Sequence, residues 1–206
     1  RIVEGSLCIS VVARIKITCE GGSSRVLRSA LNAPIESICT SSIIYTLNFA
    51  FAGVKFASSR KSRMLLGADY NYAGVIAFAG AIYSVLSEPT WKYQPCPMML
   101  FHGNADRNVP YRKATILATG FYGSDYIAEQ LHNLGATYYF HSAHYRDHDL
   151  ALTPLTDNHE EIISFLNRCV LGKEKLQHTN EYVAEGIEPC ETNFTIQEYL
   201  NSNYSN

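Results

Sequence analysis

Between residues 73 and 172 the chain alternates short, unbroken apolar runs with stretches of helical periodicity, and this alternation constrains the fold more than any other feature. The runs are 73–78 (AGVIAF, bounded by Gly80), 98–102 (MMLFH, entered through Cys96-Pro97) and 136–141 (ATYYFH). A run that is apolar at every position, rather than at alternate ones, suits a strand covered on both faces. Between the last two, Val109-Pro110 reads as a helix start. Ser124 then reads as the N-cap of a helix that places Ile127, Ala128, Leu131 and Leu134 on one face and ends before Gly135. The last helix is expected from Asp157, whose spacing to Glu160 is that of a capping box, through Ile162, Ile163, Phe165, Leu166 and Cys169 to Gly172. Strand and helix in turn predict an α/β domain, a parallel sheet with flanking helices.

The flanks are less regular. Residues 1–62 suggest a strand at 9–17, a turn at Gly21-Gly22-Ser23-Ser24 and a buried helix or strand at 43–56, none both periodic and capped. Residues 173–206 are polar, carry Gly186 and Pro189, and read as a peripheral helix and a loose tail. The chain opens Arg1-Ile2-Val3-Glu4, which is read as a processed protein or, preferentially, a fragment. With 206 residues there is enough chain for one substantial core. A net charge of −2 gives no footprint for nucleic acid or an anionic membrane, and the apolar stretch at 43–56 is broken by Thr46, Asn48, Gly53 and Lys55, so no membrane span is expected. The six cysteines include no CxxC pair, which argues against a zinc knuckle or a thioredoxin-type motif and leaves thiols and disulfides both open.

The segment 97–110 (PMMLFHGNADRNVP) carries the most chemistry. An apolar strand runs straight into His-Gly, and Asp106 follows three residues after the glycine, at the carboxyl edge of the sheet, where open α/β folds build their sites. About forty residues later comes 141–152 (HSAHYRDHDLAL), which places His148 in the loop after the next strand, on the same edge. A carboxylate and an imidazole on neighbouring strand-end loops are what a hydroxyl nucleophile needs: the imidazole takes the proton and the carboxylate fixes its tautomer.

These residues resemble the α/β-hydrolase fold, and within it the carboxylesterase or acetyl-xylan-esterase-like enzymes. Residues 74–81 look like the strand before that family's acid strand, 101–111 like its acid loop and 147–152 like its histidine loop. The resemblance covers 63–172. It implies a partial α/β-hydrolase domain over 1–172, with 1–62 matching poorly and the N-terminal strands of the sheet missing, followed by the peripheral segment 173–206. The implied activity is serine carboxylic-ester hydrolysis with Asp106 as acid and His148 as base, on a small ester such as an acylated carbohydrate, without metal or organic cofactor. Relatives that trim carbohydrate esters are often exported. The chain departs from the pattern at Asp147, where the family commonly has Gly, and at the nucleophile, because no Gly-x-Ser-x-Gly occurs. Ser42, in Thr40-Ser-Ser-Ile-Ile44, takes the nucleophile by position, with Thr and Ile where the strained turn wants glycine. Ile43 then follows the nucleophile, and Glu20-Gly21-Gly22 lies too close to Ser42 to serve as the second oxyanion loop.

Other readings stand beside these. A catalytically silent hydrolase-like protein, or a truncated fragment, keeps the acid and histidine loops without a working elbow. Asp106 also fits a turn former, and His148 a surface histidine; with Asp147, the histidines 141, 144 and 148 offer metal-ligand types at loose spacing. His102 reads as a hydrogen-bonded residue closing its strand, and the cysteines as small buried hydrophobes.

Overall fold

The computed structural model describes residues 12–13, 73–85, 88–91, 94–116 and 119–204. Among these, a five-stranded sheet runs in the order β1 (Val12–Ala13), β2 (Val75–Phe78), β4 (Met98–Gly103), β7 (Tyr138–Ala143), β8 (Gln177–Tyr182). The short β1 is antiparallel to β2; the other neighbours are parallel. The chain therefore has the mostly parallel α/β architecture expected from its alternation. The sequence readings on residues 9–17, 21–24 and 43–56 fall largely or wholly outside the described residues.

The apolar runs are explained by burial on both faces. Val75, Ala77, Met98, Leu100, Tyr138 and Phe140 pack on one side against Tyr126, Ile127, Ala128 and Leu131 of helix α1 (Ser124–Asn133). On the other side, Ile76, Phe78, Met99 and Phe101 meet Ile162 and Phe165 of α3 (His159–Phe165) and Leu166, Cys169 and Val170 of the π-helical turns Leu166–Leu171 that continue it. Alternate residues of each strand thus serve opposite helical layers. Gly74 belongs to this packing, because a Cβ there would stand 2.7 Å from Val170 Cγ2.

Several local expectations are corrected. No helix starts at Val109-Pro110: the chain turns and forms β5 (Lys113–Ile116) and β6 (Thr119–Gly123), which join β3 (Ala81–Val85) in a separate antiparallel sheet of order β3-β6-β5. The β-forming content of 113–123 prevails over Pro110 as a helix signal. Ser124 is not an N-cap but the first residue of α1, with Gly123 at the cap. Backbone carbonyls do the capping work, Arg112 O accepting from Gly123 N–H at 2.7 Å and Tyr111 O from Asp125 N–H at 3.1 Å. This close approach needs Gly123, since a Cβ there would lie 1.9 Å from Pro110 O. Leu134 is exposed rather than on the buried face, while Gly135 ends the helix at φ +63° as expected.

The Asp157–Glu160 capping box is not formed. Asp157 is the last residue of the short α2 (Pro154–Asp157), its own N–H bonded to Thr153 O, so α3 begins after Asn158, whose amide donates to Glu161. Residues 177–182, read as part of a peripheral helix and tail, form β8, an exposed edge strand held by backbone pairing to β7; helix α4 (Ile196–Tyr204) lies further on. Cys96, Cys169 and Cys190 are free thiols, and no helix among the described residues is long and apolar enough to cross a membrane.

Candidate active site

The loop after β4 brings Asp106 back under the sheet edge. The residue is buried, its carboxylate fully so, and each oxygen has two partners. Oδ1 accepts the backbone N–H groups of Asn108 and Val109, both at 2.8 Å, which winds the loop around the side chain. Oδ2 accepts Nδ1–H of His148 at 2.8 Å and faces His102 Nε2 at 3.3 Å. Burial alone would raise the pKa of Asp106, but the hydrogen bonds and charges of His102 and His148 outweigh it and hold the group well below the usual carboxylate range. An ionised carboxylate only accepts, so His148 carries its hydrogen on Nδ1 and Nε2 is its basic nitrogen. A largely buried imidazole held in this tautomer can take a proton at Nε2 while the carboxylate stabilises the resulting cation.

His148 opens a 3₁₀ turn, His148–Ala151, just past β7. Its loop is fastened to the acid loop by backbone and side chain together. Ala143 O and Arg146 O accept from the N–H groups of Asn104 and Ala105 at 3.0 and 3.1 Å, and Asn104 Oδ1 accepts Tyr145 N–H at 2.6 Å. The last contact supports Tyr145 at φ +59°, a conformation costly for a residue with a Cβ. Gly103 is the point of closest approach: a Cβ there would fall 2.1 Å from Arg146 O. The His-Gly pair before the acid therefore has a packing cause.

Asp147, the residue that departs from the resemblance, also ties the loops together. Its Oδ1 accepts His148 N–H at 2.8 Å and Arg107 N–H at 3.0 Å, and its Oδ2 takes the Arg107 guanidinium through Nε at 2.8 Å and Nη2 at 2.7 Å. Sequence reading missed this pairing. The available signal was adjacency, Arg107 following Asp106 and Asp147 preceding His148.

His102 is fully buried and hydrogen-bonded, as its strand-end position suggested. Ser124 presents its Oγ at 2.9 Å and its backbone N–H at 3.4 Å to His102 Nδ1, so Nδ1 accepts and Nε2–H is shared between Asp106 Oδ2 and Val109 O. The other two histidines of the 141–148 segment face separate partners. His141 Nδ1 accepts from Asn180 at 3.4 Å; burial first, then Arg146, lowers its pKa, against the pull of Glu161. His144 accepts from Asn104 at Nδ1 and donates from Nε2 to Glu181, whose same oxygen also takes Ser142 Oγ–H. The metal-ligand reading of residues 141, 144 and 148 therefore finds no convergence, and among the described residues no group of three or more His, Cys, Asp or Glu side chains is placed to hold a metal ion.

Of the three predicted site residues, the structure brings Asp106 and His148 together. Ser42 lies outside the described residues, as do Ile43, Cys39 and Glu20-Gly21-Gly22. No family model, no curated protein and no solved structure matches the chain.

Proposed function

We propose that this chain is a serine carboxylic-ester hydrolase of the α/β-hydrolase type. In this reading β4 and β7 carry the acid and histidine loops, and Ser42 is the nucleophile. His148 Nε2 removes the hydroxyl proton as Oγ attacks an ester carbonyl, then returns it to the departing alcohol; water repeats the cycle to release the acid. Asp106 holds the imidazole throughout, and no cofactor enters. The substrate is a small ester, with acylated carbohydrates the first class to assay. The observation that carries the reading is the 2.8 Å bond from His148 Nδ1 to the buried Asp106 at the carboxyl edge of a parallel sheet.

The test is covalent labelling of the 206-residue chain with a fluorophosphonate, the adduct mapped by peptide mass spectrometry. An adduct on Ser42 that disappears in His148→Ala supports the proposal. A folded protein that takes no label overturns it and favours the second reading, a hydrolase-like protein without a working elbow, to which Thr40 and Ile44 in the glycine positions point.

A further inference from the structure

The residues flanking the acid and the base do more than share a surface ion pair. We infer that Arg107 and Asp147 form a clamp that sets the separation of Asp106 and His148, a positioning pair that acts through the two loops and not on substrate. The inference rests on the proposed reading of Asp106 and His148 as acid and base.

Three features of the geometry support it. First, the clamp acts one residue from each functional side chain, because Arg107 follows Asp106 and Asp147 precedes His148. A displacement at the clamp passes to both with little chain to absorb it. Second, Asp147 holds backbone as well as side chain: its Oδ1 accepts the N–H groups of both Arg107 and His148, at 3.0 and 2.8 Å, so one oxygen fixes the main chain on both sides. Third, its Oδ2 takes the forked guanidinium at 2.8 and 2.7 Å, which fixes the direction of the carboxylate as well as its distance.

The remaining inter-loop bonds described here, from Asn104 and Ala105 to the 143–146 segment, lie on the sheet side of the site. The clamp closes the outer side. Its side chains are 59% and 39% exposed, against 0% for that of Asp106, so added salt weakens the clamp directly and the Asp106–His148 bond only through it.

The test follows the His148 Nδ1 proton by NMR in the full chain, ¹⁵N-labelled at histidine, and in parallel the rate of fluorophosphonate labelling. Asp147→Ala should speed exchange of this proton with water roughly threefold, the size expected from losing an exposed but forked ion pair. Asp147→Asn, which keeps an oxygen for the two backbone N–H groups, should fall between it and the parent. Raising the salt to molar levels should speed exchange in the parent and leave Asp147→Ala unchanged. Arg107→Gln, which removes only an exposed head group, gives the same reading if Asp147→Ala does not fold.

Exchange and its salt dependence identical in parent, Asp147→Ala and Arg107→Gln would overturn the clamp. The two proposals separate cleanly. Clamp-dependent exchange with Ser42 unlabelled sinks the hydrolase and keeps the clamp, whereas labelling of Ser42 with exchange indifferent to both variants keeps the hydrolase and sinks the clamp.

Discussion

His102 and His148 approach the same atom, Asp106 Oδ2, the first from the fully buried side at 3.3 Å and the second from the loop side at 2.8 Å. The inner imidazole has its orientation set by Ser124 at Nδ1, so its Nε2–H is directed at the carboxylate and Val109 O. An acid placed this way keeps its charge inside the protein because each of its lone pairs has a donor.

His102→Leu removes that donor while preserving bulk. The variant should lose about 1–3 kcal/mol of folding stability, the range for leaving a buried polar partner short of a bond, and the Asp106 pKa should move up. Urea denaturation checks the first and carboxyl ¹³C titration the second. An unchanged Asp106 titration would show that the inner imidazole does not support the charge.

Asp106 should also shape the response to acid. Its folded pKa lies below the unfolded value of about 3.9, so the stability it contributes is fully present above that pH and is lost as pH falls toward the folded value. Asp106→Asn should therefore be less stable than the parent near neutrality, by about 2 kcal/mol, with the two converging as pH falls below about 4. Denaturation midpoints measured from pH 7 downward test this, and a constant difference at every pH would refute it.

The buried His141 gives a window at milder pH. Burial, with Arg146 adding to it and Glu161 opposing, lowers its folded pKa. The unfolded chain binds a proton near pH 6.5 that the folded chain resists, so stability is full above about 6.5 and declines as pH falls through the folded pKa. His141→Gln should show a shallower loss than the parent as pH falls below about 6.5. Melting temperatures above and below that pH provide the measurement.

The parts of this molecule legible in its sequence are those where one physical requirement dominates. Residues 75–78 and 98–103 are buried on both faces and are written almost entirely in apolar letters, and the His-Gly-x-x-Asp106 spacing reflects a strand end, a close approach and an acid loop in immediate succession. Elements held mainly by backbone pairing left no such trace. Strand β8, QHTNEY, is almost wholly exposed and owes its place to the register with β7. The antiparallel excursion of β5 and β6 was hidden behind Pro110, whose preference for a first helical turn is also a preference for turns in general. Ser124 misled because its hydroxyl, whose oxygen is the usual N-cap acceptor, is turned inward to His102. The clamp on Asp147 was invisible as a motif because its partners come from two loops, although Arg107 and Asp147 each stood beside a residue already singled out.

Gly103→Ala is the smallest change expected to separate Asp106 from His148. The added Cβ would meet Arg146 O at 2.1 Å, Arg146 C at 2.6 Å and Asp147 O at 2.8 Å, all of them backbone atoms of the histidine loop that cannot rotate away as a side chain would. Relief requires the 146–147 backbone to retreat from β4, and His148 is the next residue along. A shift of about 1 Å at a catalytic pair costs on the order of a hundredfold in rate. If Ser42 labels in the parent, Gly103→Ala should label about a hundredfold more slowly. The Met98–Gly103 strand, paired to β2 on one side and β7 on the other, should keep the fold cooperative, so the far-UV circular dichroism should match that of the parent. A folded Gly103→Ala variant that labels at the parent rate would show that the two loops tolerate separation and that their close approach does not set the geometry of the pair.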